Sequence, residues 1–141
     1  MSKNVLIVEA RFYEDMADAL GEGAIAVLDA AGISFRRVAV PGVLEVPVAI
    51  KYAAETGQYD GYVALGVVIR GETTHYEIVC NESARGLMEL GIKEKLAIGN
   101  GIQTVENSDQ AWARCKMSEK DKGGGAAKAA IALMDLRDSW S

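Results

Sequence analysis

The only histidine of this 141-residue chain, His75, closes the stretch G-V-V-I-R-G-E-T-T-H that begins at Gly66. Imidazole changes charge near neutral pH, which makes it a natural carrier of protons. It follows Gly71, Glu72, Thr73 and Thr74, where an apolar run stops and a helical pattern starts. The first amides of a helix have no intrahelical partner and sit at the positive end of its dipole, so this stretch can cradle a phosphate or a carboxylate. Arg70 either clamps such an anion or pairs with Glu72. Taken alone, the same residues also describe an ordinary capped helix carrying a solvated histidine.

Three more stretches hold groups of chemical interest. Ala10-Arg11-Phe12-Tyr13 offers Phe12 as a stacking surface or as core. Pro41-Gly42-Val43-Leu44-Glu45 ends in a carboxylate that can accept from hydroxyls or merely suit a first helical turn. Asn100-Gly101-Ile102-Gln103-Thr104 is the third. Lys122-Gly123-Gly124-Gly125 lacks the order of a P-loop, and no G-x-G-x-x-G follows the first apolar run, so nucleotide sites of those types are excluded. Cys80 and Cys115 stand without a C-x-x-C or a nearby histidine, and both read as reduced thiols with no metal between them.

These groups need elements to position them. Val5–Val8, Phe35–Val40, Tyr62–Ile69 and Leu96–Ile98 read as strands. Helical periods run through Met16–Ala31, Val46–Ala54, a segment capped by Thr73 or Thr74 and ending at Gly91, and the stretches 106–118 and 122–138. The third helix is expected to bury Tyr76, Cys80, Ala84, Leu87 and Met88. The fold class is α/β: strand-helix alternation implies a three-layer α/β/α sandwich around a four-stranded parallel sheet. No linker or repeat divides residues 1–141, so a single domain is expected. In such sheets ligands bind beyond the carboxyl ends of the strands, where the four stretches above then gather as loops.

Composition narrows the partners. The chain is 50% hydrophobic and 25% charged, with a net charge of -5 and no Lys/Arg block, which excludes a phosphate-neutralising nucleic-acid groove. No apolar run approaches the ~18 residues of a membrane span, and the N-terminal K-N-V-L-I-V-E lacks a signal-type core. A cytoplasmic protein without membrane or nucleic-acid partners is expected. A phosphate cradle, an imidazole, an aromatic surface and a carboxylate at neighbouring strand ends suit a phosphorylated carbonyl compound and a flat, polyhydroxylated second substrate.

The motifs A-R-F at 10–12, P-G-V-L-E-V-P at 41–47, G-V-V-I-R-G-E-T-T-H-Y at 66–76, G-N-G-I-Q-T-V-E-N at 99–107 and D-K-G-G-G-A-A at 121–127 resemble those of the 6,7-dimethyl-8-ribityllumazine synthases, over nearly the whole chain. The resemblance implies a flavodoxin-like sheet and a transferase of riboflavin biosynthesis that needs no cofactor. Its reaction condenses 5-amino-6-ribitylaminouracil with 3,4-dihydroxy-2-butanone 4-phosphate and releases phosphate and water. Carried onto this chain, Phe12 would stack on the pyrimidine and the backbone of Val67, Val68 and Ile69 would read its edge. Val43, Leu44 and Glu45 would hold the ribityl hydroxyls. Gly71, Glu72 and Thr73 would bind phosphate, with Arg114 of an adjacent subunit completing the clamp and His75 moving protons. Asn100 and Lys122 would line the same subunit boundary.

The chain departs from the commoner pattern at Tyr13, Asn100, Gln103 and Gly125, where Asn, an aromatic residue, Leu and Glu are usual. A buried amide at Gln103 needs partners or costs ~1–3 kcal/mol. Three helical glycines at 123–125 would cost roughly 1 kcal/mol each in propensity. Two readings therefore stay open: an active synthase, or a ring-forming scaffold or flavin-type binding protein that keeps the fold. The resemblance also implies a homopentamer with sites between neighbours. Cys115–Asp121 carries no glycine and little chain precedes the first strand, so a free pentamer, or at most two rings associated weakly, is expected, held by apolar helix faces that include Leu87, Met88 and neighbours of Trp112.

Overall fold

The β-branched run Val5-Leu6-Ile7-Val8 is buried on both faces, as a central strand between two helical layers requires. In the computed structural model, which describes residues 2–141, it belongs to β1 (Asn4–Ala10). This strand pairs in parallel with β2 (Ser34–Val40) and with β3 (Gly61–Ile69), and β3 pairs with β4 (Ile98–Val105). The order β2-β1-β3-β4 is that of flavodoxin-like sheets. Between and after the strands run α1 (Glu14–Ala30), α2 (Glu45–Glu55), α3 (His75–Glu94), α4 (Ser108–Cys115) and α5 (Lys122–Ser139).

Alternation along β1 and β3 divides the core in two. Val5, Ile7, Val63 and Leu65 pack against Leu20 and Leu28 of α1 and Ala127 and Met134 of α5. Leu6, Val8, Tyr62 and Ala64 face the other way, against Val46 and Ile50 of α2 and Leu87 and Leu90 of α3. The fold is thus a three-layer α/β/α sandwich.

Several expectations need correction. The last strand is not confined to Leu96–Ile98: β4 begins at Ile98 and runs to Val105, so Asn100–Thr104 is strand and not a loop at the sheet edge. The polar residues and glycines of this segment conceal a strand signal, yet tertiary packing requires those glycines. A Cβ on Gly99 would stand 1.8 Å from the carbonyl oxygen of Ala126, so only glycine lets α5 lie this close to β4. The third helix continues beyond Gly91 to Glu94, where Lys95 adopts a left-handed conformation with φ of 59°. Its buried face is Val79, Ser83, Leu87 and Leu90, while Ala84 and Met88 are exposed. Leu87 therefore serves the core of its own chain, not an outer apolar face.

The fourth helix is shorter than the expected 106–118. The Asn107 side chain caps it by accepting from the Gln110 amide at 2.9 Å, and it ends at Cys115. Burial pushes the Cys115 thiol up to about 11. Asp121 then caps α5 from a left-handed conformation, φ 46°, accepting from the Gly124 amide at 3.2 Å. The glycines opening α5 are helical, and two of them have a packing reason. A Cβ on Gly123 would lie 2.0 Å from the Leu20 carbonyl oxygen, and one on Gly124 would lie 2.4 Å from Asp121 Oδ2. Nothing lies within 4 Å of the same point on Gly125.

Candidate active site

The carboxyl ends of β1, β2 and β3 and the start of α3 enclose a cleft of about 410 Å³. Phe12, Val43, Leu44, Glu45, Val67, Val68, Ile69 and His75 line it, and so do Tyr13, Gly42 and Val79. Residues far apart in sequence therefore meet in one concavity. Val79 follows His75 by one helical turn and shares its face, a spacing from which it was foreseeable.

The floor depends on close packing. Gly66 faces Val43, and a Cβ there would stand 2.8 Å from Val43 Cγ2 and 3.0 Å from Ala10 Cβ. Its absence lets the 42–45 turn sit down against β3. In that turn the Glu45 amide donates to the Gly42 carbonyl at 3.2 Å and the Val46 amide to the Val43 carbonyl at 3.1 Å. A Cβ on Gly42 would lie 3.2 Å from Glu45 Oε1, so the carboxylate folds back over the turn at the cleft. On the opposite wall the Phe12 ring is 75% exposed and meets Tyr13 edge-on, with centroids 4.9 Å apart. An aromatic face left this open is available for stacking.

His75 is the first residue of α3 and is exposed. Thr74 precedes the helix without a side-chain cap; the Thr73 hydroxyl instead accepts from the His75 amide at 3.3 Å. Gly71, Glu72 and Thr73 lie exposed in front of this helix start. Arg70 pairs with neither a ligand-facing group nor Glu72. Its Nε donates to both carboxylate oxygens of Glu106 at 3.0 Å, a terminal nitrogen reaches Glu77 at 2.5 Å, and the guanidinium lies 4.3 Å over the Tyr76 ring. Two carboxylates and an aromatic face outcompete Glu72, which sits in the turn ahead of the helix. Arg70 holds the Glu77 carboxyl below its usual range.

Asn100, Arg114 and Lys122 do not line the cleft of their own chain. Asn100 stands opposite Ala64 in the register of β4, three residues short of Val67, and its side chain accepts from the Ile102 amide at 3.0 Å. Arg114 donates to the Gln110 carbonyl one turn back at 3.0 Å. Lys122 is exposed at the start of α5. Among the described residues no group of three or more His, Cys, Asp or Glu side chains is placed to hold a metal ion. Likewise no helix there is long and apolar enough to cross a membrane.

Residues 2–138 match the protein family described as 6,7-dimethyl-8-ribityllumazine synthase. The chain belongs to the lumazine synthase family. It is 59% identical to 6,7-dimethyl-8-ribityllumazine synthase 1 of Rhizobium meliloti (strain 1021) over 139 residues, covering 95% of this chain and 91% of that protein. The lumazine synthase of Agrobacterium fabrum is 57% identical over 143 residues, covering 97% of both chains. That of Sphingopyxis alaskensis is 59% identical over 137 residues, covering 97% and 96%.

Both departures from the common lumazine synthase pattern that raised doubt are accommodated. Gln103 is 8% exposed, yet its Nε2 donates to the Gly101 carbonyl at 2.8 Å, and no buried side-chain polar atom among the described residues lacks a partner. Gly125 faces open space, so the missing carboxylate leaves no gap in the packing of α5.

Proposed function

We propose that the chain is an active lumazine synthase, condensing 5-amino-6-ribitylaminouracil with 3,4-dihydroxy-2-butanone 4-phosphate in riboflavin biosynthesis. The observation that carries this reading is the meeting of Phe12, Glu45 and His75 in one cleft, with Gly71, Glu72 and Thr73 exposed in front of the helix start. The pyrimidine stacks on Phe12 while the Val67–Ile69 backbone faces its polar edge. Its ribityl hydroxyls run along Val43, Leu44 and Glu45, where the carboxylate accepts their protons in hydrogen bonds.

The four-carbon phosphate lies against the start of α3, where the positive end of the helix dipole favours an anion. The substrate amine adds to the ketone and water leaves to give an imine. Loss of a carbon-bound proton then expels phosphate, the C–O bond electrons leaving with it, and His75 at the helix start is placed to take and return that proton. The enol left behind tautomerises to a ketone, the ribityl-bearing nitrogen attacks that carbonyl to close the ring, and its oxygen leaves as a second water. Both leaving groups belong to the substrates, so this chemistry calls on no cofactor.

Among the described residues no Lys or Arg lines the cleft to match the phosphate, and Arg70 is held by Glu77 and Glu106. A neighbouring subunit's Arg114, with its Asn100 and Lys122, supplies the cation in a homopentamer. The bidentate donors of a guanidinium suit a phosphate. Exposed Val48 and Tyr52 on α2, with Ile78, Met88 and Ile92 on α3, give such a ring apolar surface to bury. The enzyme works in the cytoplasm and takes neither nucleic acid nor membrane as a partner.

The partnered amide of Gln103 and the open site at Gly125 support catalysis over a bare scaffold. Incubation with both substrates tests this. A lumazine absorbance that grows with released phosphate is expected, and its absence contradicts the reading.

A further inference from the structure

Glu9 has no part in the chemistry above, yet it is the only charged side chain buried among the described residues, at 2% exposure. A carboxylate withdrawn from water this far needs charged partners, and removing one leaves an uncompensated charge. Glu9 has two. Arg37 of β2 forks onto it, Nε to Oε2 at 2.6 Å and a terminal nitrogen to Oε1 at 3.0 Å. Arg11 donates to Oε1 from its other side at 2.7 Å. The second terminal nitrogen of Arg11 reaches Asp18 at 2.5 Å and the Glu14 carbonyl at 3.4 Å, both on α1.

Arg11 thus spans the connection between β1 and α1, which consists of Arg11, Phe12 and Tyr13. It grips the end of the strand behind and the first turns of the helix ahead. Phe12 has little packing of its own to fix it, being 75% exposed with Tyr13 as its aromatic neighbour. A ring left free would have to be ordered each time a ligand binds, which weakens binding.

We propose that Arg11 is a positioning residue for Phe12: bridging buried Glu9 to Asp18 and the Glu14 carbonyl, it presents the ring over the cleft for the flat pyrimidine substrate. The inference rests on the reading of Phe12 as the stacking surface. Glu9 and Arg37 form the anchor and Asp18 the forward hold. Arg11 itself touches no substrate.

The chain has two phenylalanines, Phe12 and Phe35, so labelling with 4-fluorophenylalanine yields two fluorine resonances. In Arg11→Met and in Asp18→Asn the Phe12 resonance is expected to narrow and move toward the position of the free amino acid, with Phe35 unmoved. The Michaelis constant for the pyrimidine is expected to rise about five- to tenfold in Arg11→Met, less in Asp18→Asn, and that for the four-carbon phosphate to stay within about twofold. In a Phe12→Ala background the same substitutions are expected to add less than about twofold, because they act through the missing ring. An unmoved Phe12 resonance, equal rises for both substrates, or the full effect without Phe12 overturns the proposal. If Arg11→Met fails to fold, Asp18→Asn decides, since it leaves Glu9 paired. A wild-type protein that turns over neither substrate contradicts the reading of the cleft instead, and the fluorine spectra still report whether Arg11 holds Phe12.

Discussion

Arg70 and Glu106 are joined through Arg70 Nε, which lies 3.0 Å from both carboxylate oxygens and ties the end of β3 to the end of β4. The same guanidinium reaches Glu77 in the first turn of α3, so it braces the helix start that carries His75. The partners are half exposed, and such pairs contribute at most ~1 kcal/mol each to stability. Arg70→Gln is therefore expected to lower the melting temperature by only a few degrees, about 2–4 °C per kcal/mol. Its larger effect is a drop in kcat as the helix start loosens. Thermal melts and steady-state kinetics on one preparation check this, and a large loss of stability with unchanged kcat contradicts it.

His75 stands exposed, and its backbone amide donates to the Thr73 hydroxyl. His75→Ala should fold and melt like the parent. Positioned proton transfer is typically worth about 10²–10⁴ in rate, but imine formation proceeds slowly unaided, so a loss at or below the low end is expected. An unchanged rate and pH profile would reduce the imidazole to a surface residue.

The phosphate cradle predicts a split between substrates. Inorganic phosphate is expected to compete with the four-carbon substrate and not with the pyrimidine. Arg114→Ala should raise the Michaelis constant of the four-carbon substrate at least about tenfold, as the loss of a charge-assisted bidentate contact implies. Equal effects on both substrates would remove Arg114 from the clamp.

Two glycines in the first turn of α5, Gly123 and Gly125, should respond in opposite directions. Gly123→Ala drives a methyl group into the Leu20 carbonyl of α1 and is expected to cost about 3 kcal/mol, at the upper end for overpacking. Gly125→Ala meets nothing and should gain about 0.5–1 kcal/mol from helix propensity. Chemical denaturation of both variants checks the sign, and two losses of similar size contradict the packing.

Much of this molecule was legible in its sequence because period and burial agreed. The runs Val5–Val8 of β1 and Tyr62–Ile69 of β3 are apolar because both faces are covered, and α1 and α2 fall within two residues of their expected bounds. The end of β4 was hidden: at Gly99 and Gly101 α5 packs so closely that side chains are excluded, which removes the β-branched signal. The face of α3 was misread because exposed Ala84 and Met88 continue an apolar spacing that runs beside the buried Val79, Ser83 and Leu87. The cleft residues Phe12, Glu45 and His75 were legible through their motifs. The partners of Arg70 were not, because Glu77 and Glu106 reach it only once β3, α3 and β4 are assembled. Glu9 also went unread, its role resting on Arg37 of a neighbouring strand.

The most direct test of the account mixes two disabled chains. Phe12→Ala/His75→Ala keeps Arg114 and Lys122, whereas Arg114→Ala/Lys122→Ala keeps the cleft. Each alone should be nearly inactive. Dissociated, mixed in equal amounts and reassembled, they should regain lumazine formation at about a quarter of the wild-type rate, the share of subunit boundaries that pair two intact halves in a ring with one repeated interface. No recovery in mixed rings, or full activity of either variant alone, would contradict a catalytic cleft completed by the neighbouring subunit.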